Sequence, residues 1–329
     1  MIPVLVTGGA GYIGSHVCKA LAQSGYCPVT FDNLSRGYRE AVKWGPLEQG
    51  DLSDLPRLLE VIRIHQPVAV MHFAAFAYVG ESTHNPLLYY KNNVGGSTTL
   101  IEAMVECGIP YIVFSSSCTV YGDPTFMPLT ESHPINPISP YGKSKAIVED
   151  ILASCDQAHA IKSVCLRYFN AAGADPEGEI GENHEPETHL IPNVLKAALG
   201  IGDPLIVLGN DYDTPDGTCI RDYIHVTDLA AAHVFALKYL LGGGSSQQLN
   251  LSNNQGFSVM EVIEMAKQVT GRAIPFTVGA RRMGDAPCLI GDSSLARQIL
   301  GWDPVYPDLA TIIEHAWGWM QSSPFHQKA

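Results

Sequence analysis

The segment that most restricts what this chain can become is Thr7-Gly8-Gly9-Ala10-Gly11-Tyr12-Ile13-Gly14, set between the apolar run Val4-Leu5-Val6 and a helical stretch from Ser15 to Ser24. A pyrophosphate is held by backbone amides and by the positive end of a helix, so the chain must turn tightly and let helix pack close on strand. Gly8, Gly11 and Gly14 supply the positions where a Cβ would interfere. Asp32 ends the next apolar run, where a carboxylate accepts from the hydroxyls of an adenosine ribose. Arg36 is near enough to greet a 2′-phosphate, but Asp32 repels one, so the turn is read as a site for NAD rather than NADP.

Short β-branched runs then alternate with helical stretches: Pro28 to Phe31, Val68 to Met71, Tyr111 to Phe114 and Val164 to Leu166, with a helix from Gly96 to Cys107 among them. The alternation predicts an α/β fold, a Rossmann-type doubly wound parallel sheet wrapped by helices. At 329 residues the chain exceeds the roughly 250–300 over which one core grows, so a smaller mixed α/β substrate domain is expected as well. After Asn170 the texture changes to the Gly, Pro and acidic loop Asp175 to Glu182. Ile224-His225-Val226 and Gln248 to Leu251 read as strands around a helix from Thr227 to Leu241, a unit able to return to the first sheet. The expected division is therefore 1–169 with 225–252 for the dinucleotide and 170–224 with 253–329 for the substrate. Ser258 and Glu261 have capping-box spacing ahead of a further amphipathic helix.

Composition narrows the partners. A net charge of −13 argues against nucleic acid, which needs a clustered basic surface. The eight scattered cysteines contain no Cys-x-x-Cys pair and read as reduced, buried thiols. Met1-Ile2-Pro3-Val4 leads straight into a strand without a basic leader or apolar signal core, and no apolar stretch approaches the ~20 residues of a membrane span. A cytoplasmic address is expected, with no membrane partner.

The chemistry centres on two segments. Ser139-Pro140 opens a helix on which Tyr141 and Lys145 stand four apart and face the same way, while Lys143 points elsewhere. A phenol with an ordinary pKa near ~10 is a poor base, but an adjacent lysine cation and a nicotinamide cation favour its phenolate. The strand Tyr111 to Phe114 runs into Ser115-Ser116-Ser117 at the carboxyl edge, where open α/β sheets bind ligands. A serine there hydrogen-bonds a reacting alcohol and shares its proton with Tyr141.

Together the glycine turn, Ser115 to Ser117 with Val120-Tyr121-Gly122 after it, and Tyr141-Gly142-Lys143-Ser144-Lys145 resemble the extended short-chain dehydrogenase/reductase superfamily. His72-Phe73-Ala74-Ala75, Val79 to Ser82, Tyr89 to Asn93, Leu166 to Asn170, Asp216 to Val226 and Arg281 to Asp285 are similar to the UDP-glucose 4-epimerase family within it, nearly end to end. The resemblance implies a tightly held NAD, a UDP-hexose substrate and a homodimer. It implies that Tyr141 takes the proton of the sugar 4-hydroxyl as hydride leaves C4. The 4-keto sugar then turns over and receives hydride on its other face, with Ser117 and Lys145 assisting. By position it assigns the cofactor to Gly8, Gly11, Tyr12, Ile13, Gly14, Asp32, Asn33, Asp51, Leu52, Phe73, Ala74, Asn93, Tyr141, Lys145 and Tyr168. Substrate contacts fall to Ser117, Tyr141, Asn170, His189, Leu190, Arg221, Arg282, Asp285 and Leu289, the arginines clamping diphosphate and Asp285 the ribose.

The chain departs from that pattern at His189-Leu190, where many members have Asn-Leu, at Phe76-Ala77-Tyr78, where some carry a lysine, and at Met283. Leu289 stands where a small residue admits 2-acetamido sugars and a tyrosine excludes them, so UDP-xylose/UDP-arabinose and UDP-N-acetylglucosamine stay open as alternative substrates. A 4,6-dehydratase needs an acid/base pair beside the serine, and Cys118-Thr119 does not provide one. A non-catalytic dinucleotide sensor would dispense with Tyr141 and Lys145. His184-Glu185-Pro186-Glu187-Thr188-His189 has the wrong spacing for a zinc-protease helix and Pro186 breaks it, and Asp211 to Gly217 lacks the spacing of a calcium loop, so no metal is expected. His315, Trp317 and Trp319 are assigned to packing of a C-terminal helix.

Overall fold

The structure, a computed structural model, describes residues 1–282 and 285–323. Met283 and Gly284 lie outside the described residues. Its larger sheet contains β1 (Ile2–Thr7), β2 (Tyr26–Asp32), β3 (Leu47–Gln49), β4 (Val70–His72), β5 (Tyr111–Ser117) and β6 (Lys162–Tyr168). After β7 (Asn170–Ala172), β8 (Leu205–Leu208) and β9 (Ile220–His225), the chain returns to it with β10 (Gln247–Leu251). The order is β10-β6-β5-β4-β1-β2-β3 and every neighbouring pair is parallel. Val4, Leu5, Val6, Ile112 and Val113 are wholly buried, as strands covered by helices on both faces require.

One face is packed by α1 (Tyr12–Gln23), through Val17, Cys18 and Leu21. The other is packed by α2 (Leu55–His65). Two short helices, α3 (Val79–His84) and α4 (Pro86–Tyr89), and a π-helical turn Tyr90–Gly95 lead into α5 (Gly96–Cys107). That helix and α6 (Pro140–His159) complete the second face with Leu100, Met104, Val148 and Leu152. Ser139 caps α6 by accepting from the Gly142 amide at 3.0 Å, with Pro140 at the first helical position.

Beyond β7 lies α7 (Leu190–Leu199). The helix α8 (Val226–Leu241) packs back on the first face beside α1. Strand β11 (Gly256–Ser258) precedes α9 (Val259–Thr270), capped reciprocally by Ser258 and Glu261 as their spacing predicts. The chain closes with β12 (Phe276–Gly279), β13 (Cys288–Leu289), α10 (Ser294–Leu300) and α11 (Leu309–Ser322). A second core joins α7, α9 and α11 through Val194, Leu195, Val262, Ile263, Ile312 and Ile313.

One strand assignment is corrected. The segment read as a strand around Ile224 does not return to the first sheet: β9 pairs with β7, β11 and β13 in a separate small sheet, and only α8 and β10 go back. Asp222, within β9, and Asn253, just past β10, mark this arrangement. Asp222 is fully buried, accepting from Ser252 Oγ at 2.6 Å and the Asn253 amide at 3.0 Å, which ties the end of β10 beside β9 rather than in line with it. The thiols also divide: Cys18, Cys118, Cys165 and Cys219 are buried, but Cys27, Cys107, Cys155 and Cys288 are only half-buried. Among the described residues no helix is long and apolar enough to cross a membrane.

Candidate active site

The carboxyl ends of β1, β4, β5 and β6 lie side by side in the sheet, so the glycine turn after β1 and the serines ending β5 share one edge. Two interstrand steps separate them, roughly 10 Å. A dinucleotide laid along that edge reaches both.

Within the turn the three glycines are needed for different reasons. Gly8 has φ +76° and a Cβ there would stand 2.5 Å from the Ala74 amide nitrogen. At Gly14 it would stand 2.2 Å from the Gly8 carbonyl oxygen, so α1 could not approach β1. At Gly11 it would meet only the Gly8 carbonyl, at 3.3 Å, so packing within the protein tolerates more there than at the other two. What a side chain on Gly11 obstructs is the approach of a ligand to the first turn of α1. That helix has no side-chain cap and no acidic residue in its first turn, which leaves its amides and dipole to an anion. The chain's own residues thus fit a pyrophosphate. Gly14→Ala is expected to release the dinucleotide: the clash is backbone against backbone and no rotamer relieves it. The cofactor absorbance of the purified variant, beside its melting temperature, checks this.

Asp32 accepts from the Ala10 amide at 3.0 Å and the Leu34 amide at 2.8 Å. Burial pushes its carboxyl above the ordinary value while those two amides pull it down. Asn33 donates to Asp51 at 2.7 Å, and Leu52 is buried against Gly96. Phe73 and Ala74 hang from the Thr7 carbonyl through their amides, at 2.9 and 3.1 Å, and the Phe73 ring lies against His233. Tyr12 donates to the Gly173 carbonyl at 2.7 Å, while Ile13 packs on the core beneath. Arg36 is engaged elsewhere than at a phosphate: it pairs with Glu81 at 3.1 Å and lies over the rings of Tyr78 and Phe76, 5.0 and 5.5 Å from their centres. The amide of Asn93 is taken up by the backbone of Phe76 at both ends, at 2.9 Å each, and by Ser144 at 3.1 Å. Asn93 therefore fixes the loop after β4 rather than offering a free amide.

At the serine edge, three consecutive residues of β5 meet one face of α6. Lys145 Nζ donates to the Ser115 carbonyl at 2.7 Å and Ser116 Oγ donates to Glu149 at 2.5 Å, while the Ser117 hydroxyl, which accepts from the Thr119 amide and hydroxyl at 3.2 and 3.0 Å, lies near enough to the Tyr141 phenol to favour its phenolate. The Ser115 hydroxyl itself is bonded to Tyr168. Tyr141, Lys145 and Glu149 follow at intervals of four, so one strand end pins one helical stripe. Lys143 is exposed, as its place on the helix predicts.

The electrostatics of the chain alone narrow the expectation for Tyr141, which drew on a nicotinamide cation as well as on Lys145. Burial pushes the Tyr141 phenol up to about 12, with the Ser117 hydroxyl pulling the other way. Burial also brings Lys145 down to about 7, against the pull of Glu149. Nζ lies 5.8 Å from the centre of the Tyr141 ring. Burial dominates both shifts and neither carries a contribution from the other group, so in the chain alone the phenol is raised rather than acidified.

Across the cleft, Arg221, Arg282 and Asp285 come together. Arg282 donates twice to the Asp285 carboxylate, at 3.0 and 2.7 Å, and Arg221 reaches it at 3.4 Å. Asp285 is thus already shared by both guanidiniums before any ribose is present. Leu289, paired in register with Arg221, packs on the cluster around Cys118, Val120 and Phe169, next to the serine edge. Asn170 donates to the Asp222 carbonyl at 2.8 Å. His189 turns Nδ1 toward Glu182, away from a free contact, and Leu190 starts α7 on the second core.

Sequence reasoning gave no role to Glu149, Arg167 or Ser116, although the last two lie inside segments it singled out. Arg167 holds the Glu149 carboxylate in a fork, at 3.0 and 2.5 Å, and donates to Tyr121 at 3.1 Å, which in turn donates to Asn250. The i+4 repeat from Tyr141 through Lys145 to Glu149 was the available sign.

This geometry defines the class: an extended short-chain dehydrogenase/reductase. Residues 4–252 match the NAD dependent epimerase/dehydratase family. The chain belongs to that family. It is 53% identical over 323 residues to a UDP-glucose 4-epimerase of Rhizobium leguminosarum bv. trifolii, covering 98% of each chain. A UDP-glucose 4-epimerase from Brucella ovis crystallised with NAD superposes with a TM-score of 0.94 at 51% identity, over 96% of this chain and 98% of that one. One from Stenotrophomonas maltophila, with bound NAD and formylated UDP-arabinopyranose, gives 0.94 at 40% identity over 98% of each.

Proposed function

We propose that the chain is an NAD-dependent UDP-glucose 4-epimerase, interconverting UDP-glucose and UDP-galactose. The observation that carries this reading is the pinning of Lys145 by the serine end of β5, which sets Tyr141 one turn earlier beside Ser117, on the same sheet edge as the glycine turn. Gly8, Gly11, Tyr12, Ile13 and Gly14 hold pyrophosphate, and Asp32 with Asn33 and Asp51 receives the adenosine. Leu52, Phe73 and Ala74 line the ring contacts, and Tyr168 and Lys145 border the nicotinamide. Bound NAD supplies the acceptor and donor of hydride at the sugar C4 and a positive ring beside the phenol.

The chain's residues manage the proton and the orientation. Tyr141 takes the proton of the 4-hydroxyl and returns it, and Ser117, beside the phenol, gives that proton its path. Arg221 and Arg282 bind the diphosphate as guanidinium forks, with Asp285 aligning them. Anchoring at the diphosphate leaves the hexose untethered, which the turnover of the keto sugar requires. Asn170, His189 and Leu190 border the uridine, and Leu289 limits the room beside the sugar. Arg36, stacked on two rings and paired with Glu81, is engaged away from a 2′-phosphate, which supports NAD over NADP.

A homodimer in the cytoplasm completes the reading. It is supported by exposed apolar side chains gathered on neighbouring short helices and α6, namely Val79, Leu87, Leu88 and Ile147. The purified protein is expected to convert UDP-glucose to UDP-galactose without added NAD. Absence of conversion, with the cofactor confirmed present, would overturn the assignment, and faster turnover of UDP-N-acetylglucosamine or UDP-xylose would shift the substrate within it.

A further inference from the structure

The loop from Ile180 to His189 contains no regular structure, yet it folds four ligand-type groups onto one point. Glu182 and Glu187 bring carboxylates whose side chains are only 6% and 4% exposed. His184 and His189 both turn Nδ1 toward them. One donor atom from each of the four lies within 4.8 Å of all the others. His184 Nδ1 stands 3.1 Å from Glu182 Oε1 and 3.8 Å from Glu187 Oε2, and His189 Nδ1 stands 3.7 Å from Glu187 Oε1. His189 Nδ1 also contacts Glu182 Oε1.

In a tetrahedral site with bonds of about 2.0–2.2 Å, neighbouring ligand atoms are roughly 3.3–3.5 Å apart. Three of the four histidine–carboxylate separations lie near that spacing, and an ion entering between the groups must part the closest pair, His189 and Glu182. Two carboxylates shut away from water call for two positive charges. The structure pairs both carboxylates with His184 and His189, and a divalent ion would take the place of the protons shared in those pairs, leaving the imidazoles neutral, the form in which they ligate. Two nitrogens among the donors select a borderline transition ion over calcium or magnesium, which take oxygen. The surroundings hold the ligands still: Trp319 donates to the Glu182 carbonyl at 3.0 Å, and the amides of Thr188 and His189 donate to Glu187 Oε1 at 2.8 and 2.9 Å. The rings of Tyr12 and Tyr78 stand edge-on to His184, each 6.1 Å between centres.

The geometry points to a structural site for a zinc-type divalent ion formed by Glu182, His184, Glu187 and His189. All four positions are filled by protein, so the ion clasps the loop rather than activating a ligand. The clasp lies against Tyr12, in the first turn of α1, and leads directly into α7. The sequence reading set this stretch aside because helical spacing fails there; the loop achieves convergence without a helix.

The test is zinc titration of the chelator-stripped, full-length protein by calorimetry, with cobalt substitution read by its visible absorption. Stoichiometric uptake, tetrahedral cobalt bands and a raised melting temperature are expected. The double variant His184→Gln/His189→Gln should weaken binding by roughly 10–100-fold or more. Should that variant fail to fold, Glu187→Gln serves in its place with the same expected direction. No uptake by the stripped wild-type chain, or undiminished uptake by the folded variants, overturns the proposal and leaves the four groups as an ion-pair cluster.

Discussion

Tyr141→Phe is expected to lower epimerisation by roughly 10²–10⁴-fold, the usual worth of a positioned acid/base group, while leaving NAD bound. The substitution removes one hydroxyl and keeps the ring, so the packing of this half-buried residue on α6 is preserved. Lys145 keeps its anchor, because its bond runs to the Ser115 carbonyl and not to the phenol. Nothing in the glycine turn is touched. Initial rates of UDP-galactose formation, measured beside the absorbance of retained cofactor, separate the two effects. Full activity in the variant would remove Tyr141 from the chemistry, whereas loss of the cofactor together with activity would make its role structural. Ser117→Ala should fall in the same direction by less, since the hydroxyl only relays a proton that Tyr141 still holds.

Features that act over a few residues were readable in the chain. The order of strand, glycine turn, helix and Asp32 is local, and so is the spacing of Tyr141 and Lys145 on one helical face. What escaped depends on burial or on contacts between distant residues. A phenol beside a lysine reads as acidified when both are imagined in water; desolvation reverses that, and desolvation is not written in a spacing. Strand β9 was recognisable as a strand, but its sheet is chosen by Asp222 and its bonds to Ser252 and Asn253, some thirty residues away. Arg36 was weighed as a phosphate ligand because its engagement with Glu81 and Tyr78 requires the loop after β4 to fold over it. The convergence of Glu182 with His184, Glu187 and His189 arises in an irregular loop, where no period exists to be read.

Arg167→Met is expected to cost about 3–5 kcal/mol of stability, because it leaves the Glu149 carboxylate buried without its partner. The pair is closed, with side chains 6% and 7% exposed, and the fork geometry leaves water little access. A single methionine fills the space but cannot satisfy the carboxylate. Adding Glu149→Met should return most of the loss, since an apolar pair of similar volume avoids the desolvation that the ions suffer. A double-mutant cycle read by denaturant midpoints therefore separates the worth of the pair from the penalty of an orphaned charge. A further variant, Glu149→Gln, reads the same carboxylate through the active site. Glu149 is the group that holds the pKa of Lys145 up against burial, so a neutral residue there sends Lys145 further below about 7. Its ammonium is then present only at lower pH, and the limb of the activity profile that needs it should move toward acid in Glu149→Gln. If stability falls while that limb stays in place, the network is scaffolding alone; if both move, the carboxylate also sets the charge of the lysine that stands beside Tyr141.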